Sequence, residues 1–189
     1  MTKTISTKDK LRDIARDLFW TRGYSNVSVR DITGAAGVDA ALVSRYFGGK
    51  QGLFEATLED IPDWEALAAD GPDVLEKAVA SFAHPYDPQR DQVNPFTMLL
   101  TNVIDPVMGD TIRTLVERRL AGPLAEKLGG EAAEERAALL LSTLFGVALM
   151  RKNFQLRALT DLSPEALQQQ AMHLGKAALG FHSEDTPTE

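Results

Sequence analysis

The chain has 189 residues, of which 44% are apolar, and a formal net charge of −7. This is enough for one large domain or two small ones with a buried core. It contains no cysteine, which excludes a disulfide framework and a thiolate metal site. Its most apolar run, residues 137–150, is shorter than the roughly 20 residues that span a bilayer, and the start has no signal-peptide pattern. We therefore expect a soluble, cytoplasmic protein without membrane contact.

The charge is unevenly divided along the chain. Residues 1–54 hold nine Lys and Arg against five Asp and Glu, whereas residues 55–189 hold eleven against 22. A basic N-terminal segment on an acidic remainder is typical of proteins that contact nucleic acid locally. Charge alone does not separate this interpretation from a chance asymmetry.

The helical signals begin at the N-terminus, and no segment alternates as a strand would, so the sequence predicts an all-α fold. The first predicted helix covers residues 7–22 and ends at Gly23, a residue suited to a left-handed C-terminal position. Its apolar residues recur at helical spacing: Leu11, Ile14, Ala15, Leu18 and Phe19.

Two short helices follow. The second helix opens at Ser28, which has capping-box spacing to Asp31, and it ends at Gly37. The third is capped by Asp39 and stops at the glycine pair 48–49. Apolar residues at hydrophobic-staple spacing flank each start, as Val27 with Ile32 and Val38 with Val43. Two short helices with a glycine turn between them predict a helix-turn-helix.

The predicted third helix has one face suited to a DNA major groove. If Val43 and Phe47 point inward, small residues and one arginine remain on the other side. Such a face lets a helix lie deep in the groove, and Arg30 on the second helix would reach a guanine edge. The candidate DNA-binding residues are Ser28, Arg30, Ala40, Ala41, Leu42, Ser44, Arg45, Tyr46 and Lys50.

Each of these residues also has a structural interpretation. Ser28 is a helix cap in either case, Arg45 can be a solvated charge, and Tyr46 can belong to the core edge. Lys50 can be a helix-terminal lysine, but a cation at the positive end of a helix favours an external anion such as a phosphate.

Residues 9–58 match a known pattern. The matching residues are Leu18, Phe19, Gly23 and Tyr24, the segments "SVRDITGAAGV" and "RYFGGKQGLF", and the spacing from Gly37 to Lys50 and on to Leu53 and Phe54. On these residues the chain resembles the N-terminal domain of the TetR family of transcriptional regulators. The family commonly has Thr and Tyr where this chain has Leu42 and Ser44, so the resemblance does not extend to base contacts at these two positions.

The resemblance implies an all-helical homodimer whose three N-terminal helices bind palindromic operator DNA. It also implies a larger C-terminal domain that dimerises and usually holds a small-molecule inducer. We predict a helix-turn-helix DNA-binding domain at 1–49, a ligand-binding and dimerisation domain at 50–183 and a disordered tail at 184–189. The expected function is a ligand-responsive regulator acting as a repressor; the alternative is a helical adaptor that docks proteins without sequence-specific DNA binding.

The remaining helices are marked by proline and glycine. Helices are predicted from about Pro72, from Asn94 with Pro95 at its first position, and over 163–180 after Ser163. A stretch at 107–128 should kink or break at Pro123. A further helix is predicted over 131–157, and a loop over 84–93.

The C-terminal helices offer an interface and a candidate pocket. The helix containing 137–150 is apolar all round and must be covered on every side, either by its own domain alone or also by a second copy. The last helix carries a stripe of Leu167, Ala171, Leu174 and Ala178, and together the two helices predict a two-fold four-helix interface. Candidate walls of an effector pocket, each also interpretable as core, are Phe82, Phe96, Met98, Leu99, Met108, Ile112 and Phe145, with Asn102 and Arg113 as polar groups.

No catalytic or metal-binding constellation is found in the sequence. The histidines at 84, 173 and 182 lack metal-ligand spacing, and "FGGKQG" lacks the spacing of a phosphate-binding loop. We therefore predict neither enzyme activity, nor a bound metal, nor a cofactor; the effector is unidentified.

Overall fold

The computed structural model describes residues 6–59, 61, 74–83 and 93–180, with only the backbone at 74 and 81–83. Every regular element in these ranges is helical, which confirms the all-α prediction. None of the described helices is long and apolar enough to cross a membrane. The predicted tail at 184–189, Pro72 and nearly all of the predicted loop at 84–93 lie outside the described residues.

The helices are α1 (Thr7–Arg22), α2 (Val29–Ala36), α3 (Ala41–Phe47), α4 (Lys50–Leu58), α5 (Val74–Ala83), α6 (Pro95–Val103), α7 (Gly109–Val116), α8 (Gly122–Leu128), α9 (Ala133–Ala148), α10 (Arg157–Thr160) and α11 (Pro164–Leu179). Two π-helical turns, Glu117–Ala121 and Leu149–Asn153, follow α7 and α9.

The chain divides into two compact units. The first unit consists of residues 1–61 and 92–113, and the second of residues 62–91 and 114–189. In the first unit α4 and α6 both pack against α1, so they share a core with the predicted DNA-binding helices. The functional boundary predicted at 49/50 stays a prediction.

An aromatic cluster forms the core of the first unit. The rings of Phe19, Tyr24 and Phe54 are buried, and their centroids lie 5.3–5.6 Å apart. Phe54 meets both other rings edge to face, and such pairs contribute roughly 0.5–1.5 kcal/mol each beyond their buried area. The cluster therefore joins the end of α1, the following turn and α4.

Three helices outside the helix-turn-helix begin at polar side-chain caps. α1 spans the predicted residues 7–22, and the Ser6 side chain caps it by accepting from the Asp9 amide. The Asn94 and Ser163 side chains cap α6 and α11 in the same way. The prediction of a left-handed conformation at Gly23 was wrong. Its φ of 85° is positive, but its ψ of 152° is extended rather than left-handed helical.

The second unit is built around α9 and α11, which pack on each other and on α5. A side chain at Gly175 would collide with Leu75, so the glycine permits the close approach of α11 and α5. The predicted apolar stripe of α11 is divided, since Leu167 and Ala171 are buried whereas Leu174 is 44% exposed.

The predicted break at Pro123 is present as a π-helical turn. Proline has no amide hydrogen and its ring crowds the carbonyl four residues earlier. The preceding turn is wide, and the Gly122 amide bonds the Glu117 carbonyl five residues back. A π-bulge of this kind lets the helical path continue past the proline.

The helix predicted over 131–157 is shorter than expected. α9 begins at Ala133, after Ala132 in a left-handed conformation, and ends at Ala148 before the π-helical turn. Gln155 also has a positive φ of 50°, a conformation that interrupts a right-handed helix. The prediction of one continuous helix was therefore wrong at its C-terminal end.

Candidate nucleic-acid interface

The start of α2 is fixed by the predicted capping box. The Ser28 hydroxyl oxygen accepts from the Asp31 amide at 3.1 Å, and the Ser28 amide donates to the Asp31 carboxylate at 2.8 Å. The Ser28 hydroxyl and amide bonds lower the pKa of the Asp31 carboxyl. At the other end, Gly37 is left-handed with φ 66° and ψ 37°, as the sequence predicts.

The start of α3 is held by Asp39, whose carboxylate accepts from the Ala41 amide at 2.7 Å. The residue at the cap position itself is Ala40, which makes no side-chain cap bond, so Asp39 acts one residue earlier than a standard cap. Gly48 and Gly49 end the helix with φ values of 75° and 132°. A Cβ at Gly52 would collide with the Phe47 carbonyl, so this glycine allows the tight passage from α3 to α4.

The outward face of α3 agrees with the sequence prediction. Val43 is 1% exposed and anchors the helix in the core. Phe47, the other predicted anchor, is only half-buried. Leu42 and Tyr46, at the margins of the face, are half-buried. The exposed residues on this side are Ala40, Ala41, Ser44 and Arg45.

Lys50, at the first position of α4, has internal partners. Its Nζ lies 4.0 Å from the centroid of the Tyr24 ring, within the range of a cation–π contact. Burial lowers the pKa of the Lys50 ammonium group, and the carboxylates of Asp105 and Asp31 partly oppose this. These neighbours explain why a cation is stable at this helix N-terminus. The position of Lys50 alone therefore does not indicate an external anion.

Lys10 on α1 contributes a contact that sequence analysis missed. Its Nζ donates to the Ala36 carbonyl at 2.8 Å, which satisfies a carbonyl at the C-terminal end of α2, where a positive charge is favourable. The two residues are 26 positions apart, so no local sequence pattern predicts this contact. Arg30 and Lys8 are also exposed, and they add positive charge to the surface of the first unit.

The predicted pocket residues fall in both units. Met98, Asn102 and Met108 are buried in the first unit, where Phe96 is half-buried. Phe145 is half-buried in the second unit, and the Phe82 side chain lies outside the described residues. None of these residues lines either of two hollows, of about 600 and 480 Å³, in the described part of the chain.

The two predicted polar groups of the pocket have structural partners. Arg113 donates to the Asp110 carboxylate at 2.5 Å and to the Val103 carbonyl at 3.1 Å. Asn102 bonds the backbone of α1 and of the turn that follows it. In the described part of the chain, no group of three His, Cys, Asp or Glu side chains is placed to hold a metal ion.

A three-helix head with a small, exposed, arginine-bearing face on its third helix defines a helix-turn-helix DNA-binding protein. Residues 11–57 match the family described as "Bacterial regulatory proteins, tetR family". Residues 73–174, more than half of the chain, match "Tetracyclin repressor-like, C-terminal domain". The chain therefore belongs to the TetR family of DNA-binding transcriptional regulators.

Individual relatives agree with this assignment. "Probable HTH-type transcriptional regulator YttP" of Bacillus subtilis is 49% identical over 51 residues, which cover 27% of this chain and only 25% of that protein. A crystal structure of a transcriptional regulator from Rhodococcus sp. Rha1 is similar with 25% identity and a TM-score of 0.62, covering 92% of this chain and 96% of its own. A TetR-family regulator from Streptomyces coelicolor shares the fold at 18% identity, with a TM-score of 0.65 and coverage of 92% and 94%.

Family membership decides between the classes of function considered from the sequence. The family consists of transcriptional regulators and not of enzymes, which confirms the prediction that the chain is no enzyme. DNA-binding regulation is also the family's function, and the adaptor alternative is therefore set aside.

Proposed function

We propose that the chain is a ligand-responsive repressor that binds a palindromic operator as a homodimer, with α3 in the major groove. The observation that carries this proposal is the exposed face of α3, where Ala40, Ala41 and Ser44 permit close approach beside Arg45, while Val43 anchors the opposite side. A helix must lie deep in the groove before its side chains reach base edges.

Arg45 is the principal base-reading residue in this proposal. A guanidinium can donate two hydrogen bonds to a guanine edge, an interaction worth about 1–3 kcal/mol of discrimination. The guanidinium carbon lies 5.8 Å from the centroid of the Tyr46 ring, so the ring supports the side chain. Leu42, at the margin of the face, would contact a thymine methyl group.

The remaining candidates contact the DNA backbone or a neighbouring base. Arg30, exposed in the first turn of α2, would reach a guanine edge. The first amides of α2, next to Ser28, suit a phosphate because helix N-termini carry partial positive charge. Tyr46 and Lys50 would flank a phosphate beyond the groove, with Lys50 moving from its contact with Tyr24 toward the DNA.

The second unit supports the proposed homodimer. It exposes large apolar side chains on and between its C-terminal helices: Leu139, Met150, Phe154, Leu156 and Leu174. Pairing these surfaces about a two-fold axis would remove them from water. The two α3 helices must then lie about 34–36 Å apart to enter successive major grooves.

The effector part of the proposal rests on the family. A ligand that binds one arrangement of the dimer more tightly shifts the population toward it. A difference of a few kcal/mol is enough to change operator affinity strongly. A repressor acts on the chromosome, so the proposal retains the cytoplasmic expectation.

A mobility-shift titration against salt tests this function. The DNA is the region upstream of the gene that encodes this chain, with an unrelated fragment of equal length and composition as control. We expect affinity for the upstream fragment to be at least about 1,000-fold tighter and to fall steeply with salt as counterions are released. Absent binding, or binding equal for both fragments and insensitive to salt, would overturn the proposal.

A further inference from the structure

We propose that Asn102 and Asp105 are positioning residues for operator binding, because they fix the turn between α1 and α2 and thereby the start of the helix-turn-helix. Both residues lie at the corner between α6 and α7, and we call the pair the corner clamp. The inference rests on the proposed function, since operator affinity is one of its readouts.

Asn102 is fully buried and every polar atom of its side chain is engaged. Its Oδ1 accepts from the Tyr24 amide at 2.8 Å. Its Nδ2 donates to the Phe19 carbonyl at 3.2 Å and to the Met98 carbonyl at 2.9 Å. One side chain of α6 therefore holds both the last turn of α1 and the residue that follows Gly23.

Asp105 holds the next residue of the same turn. One carboxylate oxygen accepts from the Ser25 amide at 3.0 Å, and the other accepts from the amides of Val107 and Met108 at 2.9 and 3.1 Å. Burial alone would raise the pKa of Asp105, but bonds from the Ser25 hydroxyl and from the three amides lower it. The carboxylate thus joins the turn to the residues before α7. To do so, its two oxygens must accept hydrogen bonds from both segments at once.

The turn itself has few bonds that fix its path. Besides the bonds from the corner clamp, residues 23–27 are held by Gly23 amide to Phe19 carbonyl at 3.0 Å, Val27 amide to Tyr24 carbonyl at 3.3 Å and Asn26 side chain to Arg22 carbonyl at 2.8 Å. Gly23 has a positive φ, and a Cβ there would lie 3.2 Å from the Thr101 side chain of α6. The turn leads directly into Ser28, so the corner clamp sets where α2 begins and how α3 is presented.

A competing role for Asp105, as a negative charge alone, predicts that operator affinity changes in the opposite direction. Its carboxylate acts on the Lys50 ammonium group, a candidate phosphate contact. If Asp105 mattered only as a negative charge near DNA, neutralising it would strengthen binding. If it positions the turn, neutralising it weakens binding, because the amide group of asparagine cannot accept on both sides.

The test compares Asp105→Asn with Asp110→Asn in the full chain. Asp110 is an exposed carboxylate in the first turn of α7 that pairs with Arg113 of the same helix. Both variants remove the same charge from the same corner. We expect operator affinity to fall about tenfold or more in Asp105→Asn and to stay within about twofold in Asp110→Asn. Affinity equal to or tighter than wild type in Asp105→Asn would overturn the proposal.

Amide hydrogen exchange without DNA gives a second readout. We expect faster exchange at Ser25 in Asp105→Asn and at Tyr24 in Asn102→Ala, while exchange at Leu11 and Ala15 in the core of α1 stays slow. Unchanged exchange at both turn amides would also overturn the proposal. Failure of the wild type to bind the operator, with the exchange changes present, would count against the proposed function and support the clamp itself. Should Asn102→Ala fail to fold, Asp105→Asn alone decides the outcome.

Discussion

The α2–α3 segment and the second unit expose opposite kinds of side chain. On α3 the exposed residues are small or cationic, with Arg45 as the only long one on the predicted face. In the second unit Phe154 and Leu156 are 68% and 50% exposed, and Leu139 and Leu174 are each more than 40% exposed. One surface suits a polyanion that must be approached closely, and the other suits a protein surface that excludes water.

This difference shows how the two regions depend on each other in the proposed mechanism. One α3 helix reads only half of a palindrome, and the affinity of a full site comes from two helices held at a fixed spacing. In this proposal the apolar surface would contribute to DNA affinity without contacting DNA. The predictions below separate these contributions, beginning with the largest.

The largest effect is expected from Leu174→Glu, which places a charge in the proposed interface of the second unit. We expect dimers to dissociate, because a buried unpaired carboxylate is costly, and operator affinity to fall on the order of 100-fold or more. Sedimentation and mobility shift measure both. The control is Gln169→Glu, at an exposed position of the same helix; a dimeric Leu174→Glu would rule out this interface.

Arg45→Ala acts on the DNA-reading surface alone. We expect a loss of about 1–3 kcal/mol for the operator, a much smaller loss for unrelated DNA, and an unchanged dimer. The matched control is Arg157→Ala, an exposed arginine of the second unit. If both variants lose affinity equally, Arg45 is a general surface charge and not a base-reading residue.

If Lys50 contacts a phosphate as proposed, operator affinity should change at alkaline pH. Burial lowers its pKa in the free protein, whereas a nearby phosphate would raise it again, so binding takes up a proton in that interval. Affinity should fall as pH rises through the lowered pKa, by at most about tenfold per pH unit. Lys50→Arg, which stays charged, should lose this part of the pH dependence. Identical pH profiles for the two proteins would show that Lys50 contacts no phosphate.

The smallest effects concern the stability of α2. Gly34 is exposed and has open space around it, so Gly34→Ala should raise the free energy of unfolding by roughly 0.5–1 kcal/mol. Ser28→Ala should lower it by about 1 kcal/mol through loss of the cap. Urea unfolding measures both. A Gly34→Ala variant that is less stable than wild type would show that α2 needs the glycine for another reason.

The sequence predicted those features of the fold that depend on neighbouring residues. Caps such as Ser28 and Ser163 bond a residue three positions on, so their spacing predicts them. Gly37 and Gly48 end helices through their own positive φ values, so the residue type predicts them. The end of α9 could not, because its apolar run continues past the point where the helix widens into a π-helical turn.

In the candidate site, too, local features could be predicted from the sequence and long-range contacts could not. The exposure of Ser44 and Arg45 follows from helical periodicity once Val43 is buried. The contacts of Lys10 with Ala36 and of Asn102 with Tyr24 join residues 26 and 78 positions apart, and no periodicity relates such positions. From the sequence, Asn102 is predicted as a group that orients an effector, with a place in the core as the alternative, and its backbone partners at Tyr24 and Phe19 are too distant in sequence to be predicted.

The most direct test of the central claim is protection mapping of the protein on DNA upstream of its own gene. The account predicts a protected inverted repeat whose half-sites are separated by one helical turn or a multiple of it, about 10–10.5 base pairs per turn, with protection lost in Arg45→Ala. Protection without two-fold symmetry, or an unchanged footprint in Arg45→Ala, would contradict the claim that the exposed face of α3 reads the operator.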